Sequence, residues 1–234
     1  MTGPTAWTSS RDIVAAIAAK DWRAWFREER RKHSHHDWRW VVEHWVGPNS
    51  YRAFRHMPER PCEVFREWAH NALFGEERRF EQLLALKSRI EYDCWLDLLA
   101  GSLRRRWAAR MNGREMPFGP SLKLPNLILK GICANPRLEN CDFDRIVWWL
   151  HVPLDSYSIL AIRNCIAATP YGVRIGKIGM HVAMGFVKDH DAYSAFQEYL
   201  RELAEEASVP AITFDILSWD TPHAGAPALE AGKE

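Results

Sequence analysis

At 234 residues and 47% hydrophobic content, the chain can bury a real core as one large domain or two small ones, which excludes wholesale disorder. The formal net charge of +1 makes no case by itself for a polyanion partner, so nucleic-acid contact has to come from local arginine clusters. Five cysteines, an odd number without a C-x-x-C pair, argue for reduced thiols in a cytosolic setting rather than a disulfide framework.

The opening "MTGPTAWTSSRD" has no basic n-region with an apolar run, and no apolar stretch approaches membrane-spanning length. We therefore expect a soluble cytoplasmic protein with no membrane partner and a flexible segment at residues 1–8. Ser9 with Asp12 reads as a capping box opening "SSRDIVAAIAAKDWRAWFREERRKH", where apolar residues recur at three and four. "DWRWVVEHWV" continues that spacing until Gly47 and Pro48 stop it. "CEVFREWAHNALF" and "EERRFEQLLALKSRIEYDCWLDLLAGSLRRRWAARM" read as further amphipathic helices, the second broken near Ser88 or Gly101. A loop, "NGREMPFGPS", precedes the apolar helix "LKLPNLILKGI", which Asn135 and Pro136 end.

After the short apolar "FDRIVWWL", a helix starts at Asp155 or Ser156 and closes at Thr169 and Pro170. "YGVRIGKIGMHVAMGF" carries four glycines and predicts a loop or short strand; it does not match G-x-G-x-x-G, so no dinucleotide site is read there. "DAYSAFQEYLRELAEEAS" is amphipathic, capped by Asp191 or an earlier residue, and "PAITFDILSW" leads into an apolar-poor tail expected to be disordered at 221–234. The expected fold class is all-α, mostly helical, over residues 9–220. The twelve tryptophans are expected mainly to pack the core, and large aromatics also stack on flat ligands such as bases.

Two junctions carry candidate chemistry. In "FGPSLKLPN", Gly119 and Pro120 suggest a tight turn with Ser121 as N-cap, placing Lys123 in the first helical turn. The partial positive charge there disfavours a cation, and a neutral amine is a nucleophile; the plainer alternative is a surface lysine reaching water. In "HVPLDSYSIL", Pro153 sets an extended approach and Asp155 stands where an N-cap belongs. A carboxylate held there can also stabilise positive charge developing on a sugar.

The turn-helix lysine followed by an aspartate after "VP" resembles the helix-hairpin-helix DNA glycosylases, closest to the archaeal 8-oxoguanine DNA glycosylase branch. In that branch an "IPVD"-like segment supplies the second catalytic residue, where this chain reads "HVPLD". "VPAITFDILSW" resembles the segment whose aspartate and aromatic contact the damaged base, with Asp215 and Trp219 in those places. The match covers roughly residues 104–219; "PFGPS" lacks the superfamily's "GxG", and Leu154 stands where a small branched residue is usual.

The resemblance implies a glycosylase-like bundle with its active site in a cleft between two helical halves, acting on duplex DNA that contains a damaged base. It implies Lys123 as Schiff-base nucleophile and Asp155 as its catalytic partner, with no metal or organic cofactor and no obligate protein partner. Arg104, Arg105, Arg106, Gly119 and Ser121 would contact DNA, with Arg110 and the run Arg27–His36 as further basic clusters. His33, His35 and His36 lack the carboxylate and cysteine pattern of a metal site. A helix-hairpin-helix nucleic-acid-binding protein without turnover, and a helical interaction module meeting a partner through aromatic stripes, are the alternatives.

Overall fold

The computed structural model describes residues 7–180, 182 and 184–223. Of the expected flexible start at 1–8 and disordered tail at 221–234, residues 1–6 and 224–234 lie outside the described residues, while 221–223 are the end of the last helix. Trp7 is tied down: its N–H donates to Ala161 O at 3.0 Å. Among the described residues every regular element is helical, and no helix is long and apolar enough to cross a membrane.

The N-terminal run is three helices, α1 (Ser10–Ala18), α2 (Trp22–Lys32) and α3 (Trp38–His44). Ser9, Asp21 and Asp37 each accept the backbone N–H three residues on, and those caps break what the apolar spacing alone presents as continuous. A 3₁₀ stretch, Pro48–Phe54, follows, then α4 (Pro61–Ala69) running into a single π turn at His70–Phe74, and α5 (Arg79–Ala85). Of the two expected breaks only Ser88 is one: its Oγ caps Glu91 N, and α6 (Arg89–Arg110) runs unbroken through Gly101.

The next helix, α7 (Phe118–Cys133), is buried around almost its whole circumference, as a helix apolar on every face must be. It packs on α3 and α6, with Leu122, Leu124, Ile128, Leu129 and Ile132 in the core. Then come α8 (Asn140–Ile146), α9 (Ser156–Ala167) and α10 (Pro170–Ile175). The last two are α11 (His190–Glu206), capped by Asp189, and α12 (Ile212–His223). α10 corrects the glycine-rich stretch: Pro170 starts a short helix on α9 and α11, and Gly176, at φ +78°, ends it. The first helix returns to the far end of the chain, so α1 packs with α11 and α12.

The start of α7 also departs from the expected hairpin. Its N-cap is Pro117, not Ser121; Gly119 and Pro120 are inside the first turn, and Ser121 Oγ bonds back to Phe118 O at 2.7 Å. Pro120 fits there because first-turn N–H groups have no intrahelical acceptor. The Gly119 N–H finds Val187 O, 3.0 Å away on a loop far along the chain. Lys123 therefore stands in the second turn, beyond the reach of the helix-terminus effect invoked for it.

Candidate functional site

α7 and α9 bring the two expected catalytic residues together. Lys123 Nζ is 3.5 Å from Asp155 Oδ2, and both residues are almost buried, at 7% and 4% exposure. Lys123 is thus not the surface lysine of the plainer alternative. Asp155 is the N-cap of α9 in a full capping box: its Oδ1 accepts from Tyr157 N and Ser158 N at 2.9 and 3.0 Å, while its own N–H donates to Ser158 Oγ. One carboxylate oxygen caps the helix and the other faces the lysine, so capping does not compete with a role toward Lys123.

The pair opens onto a cleft of about 800 Å³. Its lining includes the 3₁₀ stretch with Trp45, Phe54 and Met57, together with Tyr157 and Trp219. The rings of Tyr157 and Trp219 are 5.5 Å apart, and Trp219 is 37% exposed. Trp45 packs against α7 at Gly131, where any side chain would meet its ring. Nothing in the spacing of the N-terminal third points to that part of the lining, because its residues reach the cleft only through tertiary packing.

Asp215 is placed differently from Trp219. It is 1% exposed, does not line the cleft, and its Oδ2 accepts from Lys130 Nζ at 2.7 Å. Burial pushes its carboxyl above the ordinary range against the pull of Lys130 and Lys123, with Asp155 adding to the rise. Its Oδ1 has no hydrogen-bond partner. Lys130 also lies over the Trp25 ring, 4.5 Å from the centroid. It stands two turns from Lys123 on one face of α7, a periodicity readable in the sequence, whereas its pairing with Asp215 is not.

The expected DNA contacts divide. Arg104 and Arg105 line a second concavity of about 520 Å³ with Phe118 and Lys188, and the Arg104 guanidinium sits 5.4 Å from the Phe118 ring centroid. Arg106 is instead ion-paired with Glu67, and Arg110 with Glu59 and Glu67, so their charge is met within the protein. Gly119 and Ser121 are buried with their polar groups engaged, which removes them as phosphate contacts in this conformation. In the other basic run, Arg31 and Lys32 pair with Glu28 and Glu29.

Among the described residues the grouping able to hold a metal is Glu139, Cys141 and Asp142, a surface cluster at α8 outside the cleft lining, and Asp142 is paired with Arg145. His33 and His36 instead pack their rings against Trp40, at 4.4 and 4.1 Å. All five cysteines are free. Neither a protein-family model, nor a curated protein, nor a solved structure matches the chain.

Proposed function

We propose that this protein is a DNA glycosylase with associated AP-lyase activity, excising an oxidised purine such as 8-oxoguanine. The observation that carries the reading is the Lys123–Asp155 pair, 3.5 Å apart at a cleft of about 800 Å³ with an exposed tryptophan on its wall. A base in a duplex hides its glycosidic bond, so the nucleotide must leave the stack and enter such a cleft. The cleft is large enough for that nucleotide, and Trp219 and Tyr157 offer it flat surfaces.

In the chemistry this implies, the C1′–N9 bond breaks with its electron pair leaving on the base, which takes up a proton. Asp155 Oδ2, kept as the carboxylate, stabilises the positive charge developing on the sugar, and the proton the base takes up comes from the Lys123 ammonium, leaving a neutral amine. The amine attacks C1′; one of its protons passes to O4′ as the C1′–O4′ bond breaks, giving a protonated Schiff base, and loss of a C2′ proton then breaks the C3′–O bond and expels the 3′ phosphate. Arg104, Arg105 and Lys188, which line one concavity with Phe118 of α7, would supply the contacts to backbone phosphates. Asp215, buried outside the cleft lining, holds Lys130 in this scheme rather than the base.

The test is borohydride trapping on duplexes carrying 8-oxoguanine, uracil or an abasic site. The wild type is expected to give a covalent adduct that Lys123→Gln abolishes. Salt-dependent duplex binding without any adduct would replace this reading by a binding protein without turnover, and absence of duplex binding would leave a helical interaction module.

A further inference from the structure

Residues 151–155 run as irregular backbone between α8 and α9, and a side chain of α11 supplies hydrogen bonds to it. Gln197 accepts from Val152 N at 2.9 Å and donates to Val152 O at 2.8 Å. One turn earlier on α11, the Tyr193 hydroxyl lies 2.9 Å from His151 Nδ1, while His151 Nε2 lies 2.8 Å from Asp93 Oδ1 on α6. Tyr193 also accepts from Asn126 Nδ2 at 2.8 Å, and Asn126 is one turn beyond Lys123 on α7.

Donor chemistry orders this chain. An ionised Asp93 only accepts, so Nε2 carries a ring proton; in the neutral imidazole Nδ1 is then the acceptor, and Tyr193 donates to it while receiving the amide of Asn126. Burial raises the Tyr193 phenol, so its O–H stays in place to donate. Both Tyr193 and Asn126 are almost fully buried, and Asn126 Oδ1 has no partner. Removing the one hydroxyl would strand the whole Asn126 amide and free His151 from α7.

We infer that Tyr193 is a positioning residue, whose hydroxyl joins the helix carrying Lys123 to the segment carrying Asp155 and so sets the spacing between them. Local capping orients Asp155 on α9, but it does not say where α9 sits relative to α7. Two side chains of α11, Tyr193 and Gln197, decide that, with Asp93 holding the far side of His151.

The test has two arms, of which only the kinetic one rests on the glycosylase reading. Tyr193→Phe keeps the ring and its contacts with Phe118 and His151. In single-turnover assays the excision rate is expected to fall about tenfold or more with duplex affinity unchanged, whereas Val64→Ala, a core variant on α4, loses stability without losing rate per folded molecule. Adding Asn126→Leu removes the stranded amide and is expected to recover melting temperature but not rate. Recovery of both together would make Tyr193 merely structural and overturn the inference. The second arm needs no DNA: reductive methylation of Lys123 relative to the exposed Lys177, read by peptide mass spectrometry, should shift several-fold in Tyr193→Phe. An unchanged ratio would overturn the inference, and a shifted ratio in a protein that traps no DNA would sustain it while the glycosylase reading fails.

Discussion

Gly101 and Gly131 sit inside two packed helices, yet alanine at the two positions should have opposite effects. Replacing an interior helical glycine by alanine gains about 0.8–1 kcal/mol of helix propensity. At Gly101 the new Cβ would meet only Arg105 Nη1, at 3.6 Å, an ordinary contact, so the gain survives. At Gly131 it would lie 2.6 and 2.7 Å from Trp45 Cδ2 and Cδ1, with Cγ closer still. Those atoms are at the root of the indole, so the ring cannot swing aside without moving the end of α3. Overpacking of this kind costs about 1–3 kcal/mol, which outweighs the propensity gain and leaves a net loss of about 1 kcal/mol. For a domain of this size that corresponds to about 2–4 °C in Tm. Thermal and urea denaturation should therefore show Gly101→Ala stabilised and Gly131→Ala destabilised. In a Trp45→Ala background the steric cost vanishes and Gly131→Ala should become stabilising. Equal stabilisation at both sites in the wild-type background would refute the close approach of Trp45 to α7.

Asp155→Asn keeps an N-cap for α9 but removes the charge facing Lys123, so excision should fall on the order of a hundredfold; a rate that merely tracks melting temperature would reduce Asp155 to a cap. Lys130→Gln should cost about 3–5 kcal/mol by leaving Asp215 buried without its ion-pair partner, while trapping through Lys123 persists; lost trapping with an intact fold would move the nucleophile to Lys130. Because the folded-state value of Asp215 is raised, the folded protein retains a proton that the unfolded chain has released, and its contribution to stability falls as pH rises from the ordinary carboxylate value through the raised one. Asp215→Asn should flatten melting temperature against pH in that window, and an unaltered slope would contradict the assignment. Trp219→Phe should lower excision of intact 8-oxoguanine while sparing cleavage at an abasic site, which has no base to stack on the ring; equal losses on both substrates would make α12 structural.

What could be read along the chain was whatever is decided within a few residues. Ser9, Ser88 and Asp155 announce helix starts because a capping bond spans only two or three positions. The all-helical class followed from apolar spacing for the same reason, and so did the likeness of Lys130 to Lys123 on one face of α7. The start of α7 escaped that logic because the acceptor for the Gly119 N–H, Val187 O, arrives from a distant loop, so the glycine and proline that suggest a turn lie within the helix.

The site obeys the same division. Lys123 and Asp155 were legible as residues at a helix and at a helix start. Their 3.5 Å spacing depends on α11 and α6 through Tyr193, Gln197 and Asp93, none of which carries a local signal. Arg106 looked like a phosphate ligand until the fold set Glu67 against it, and Asp215 looked like an open base contact until α7 brought Lys130 to its carboxylate. Caps and periodicity are local interactions that a sequence displays, whereas the partner of a buried charge is chosen by packing, since a buried charge must be paired with whatever the fold brings near it.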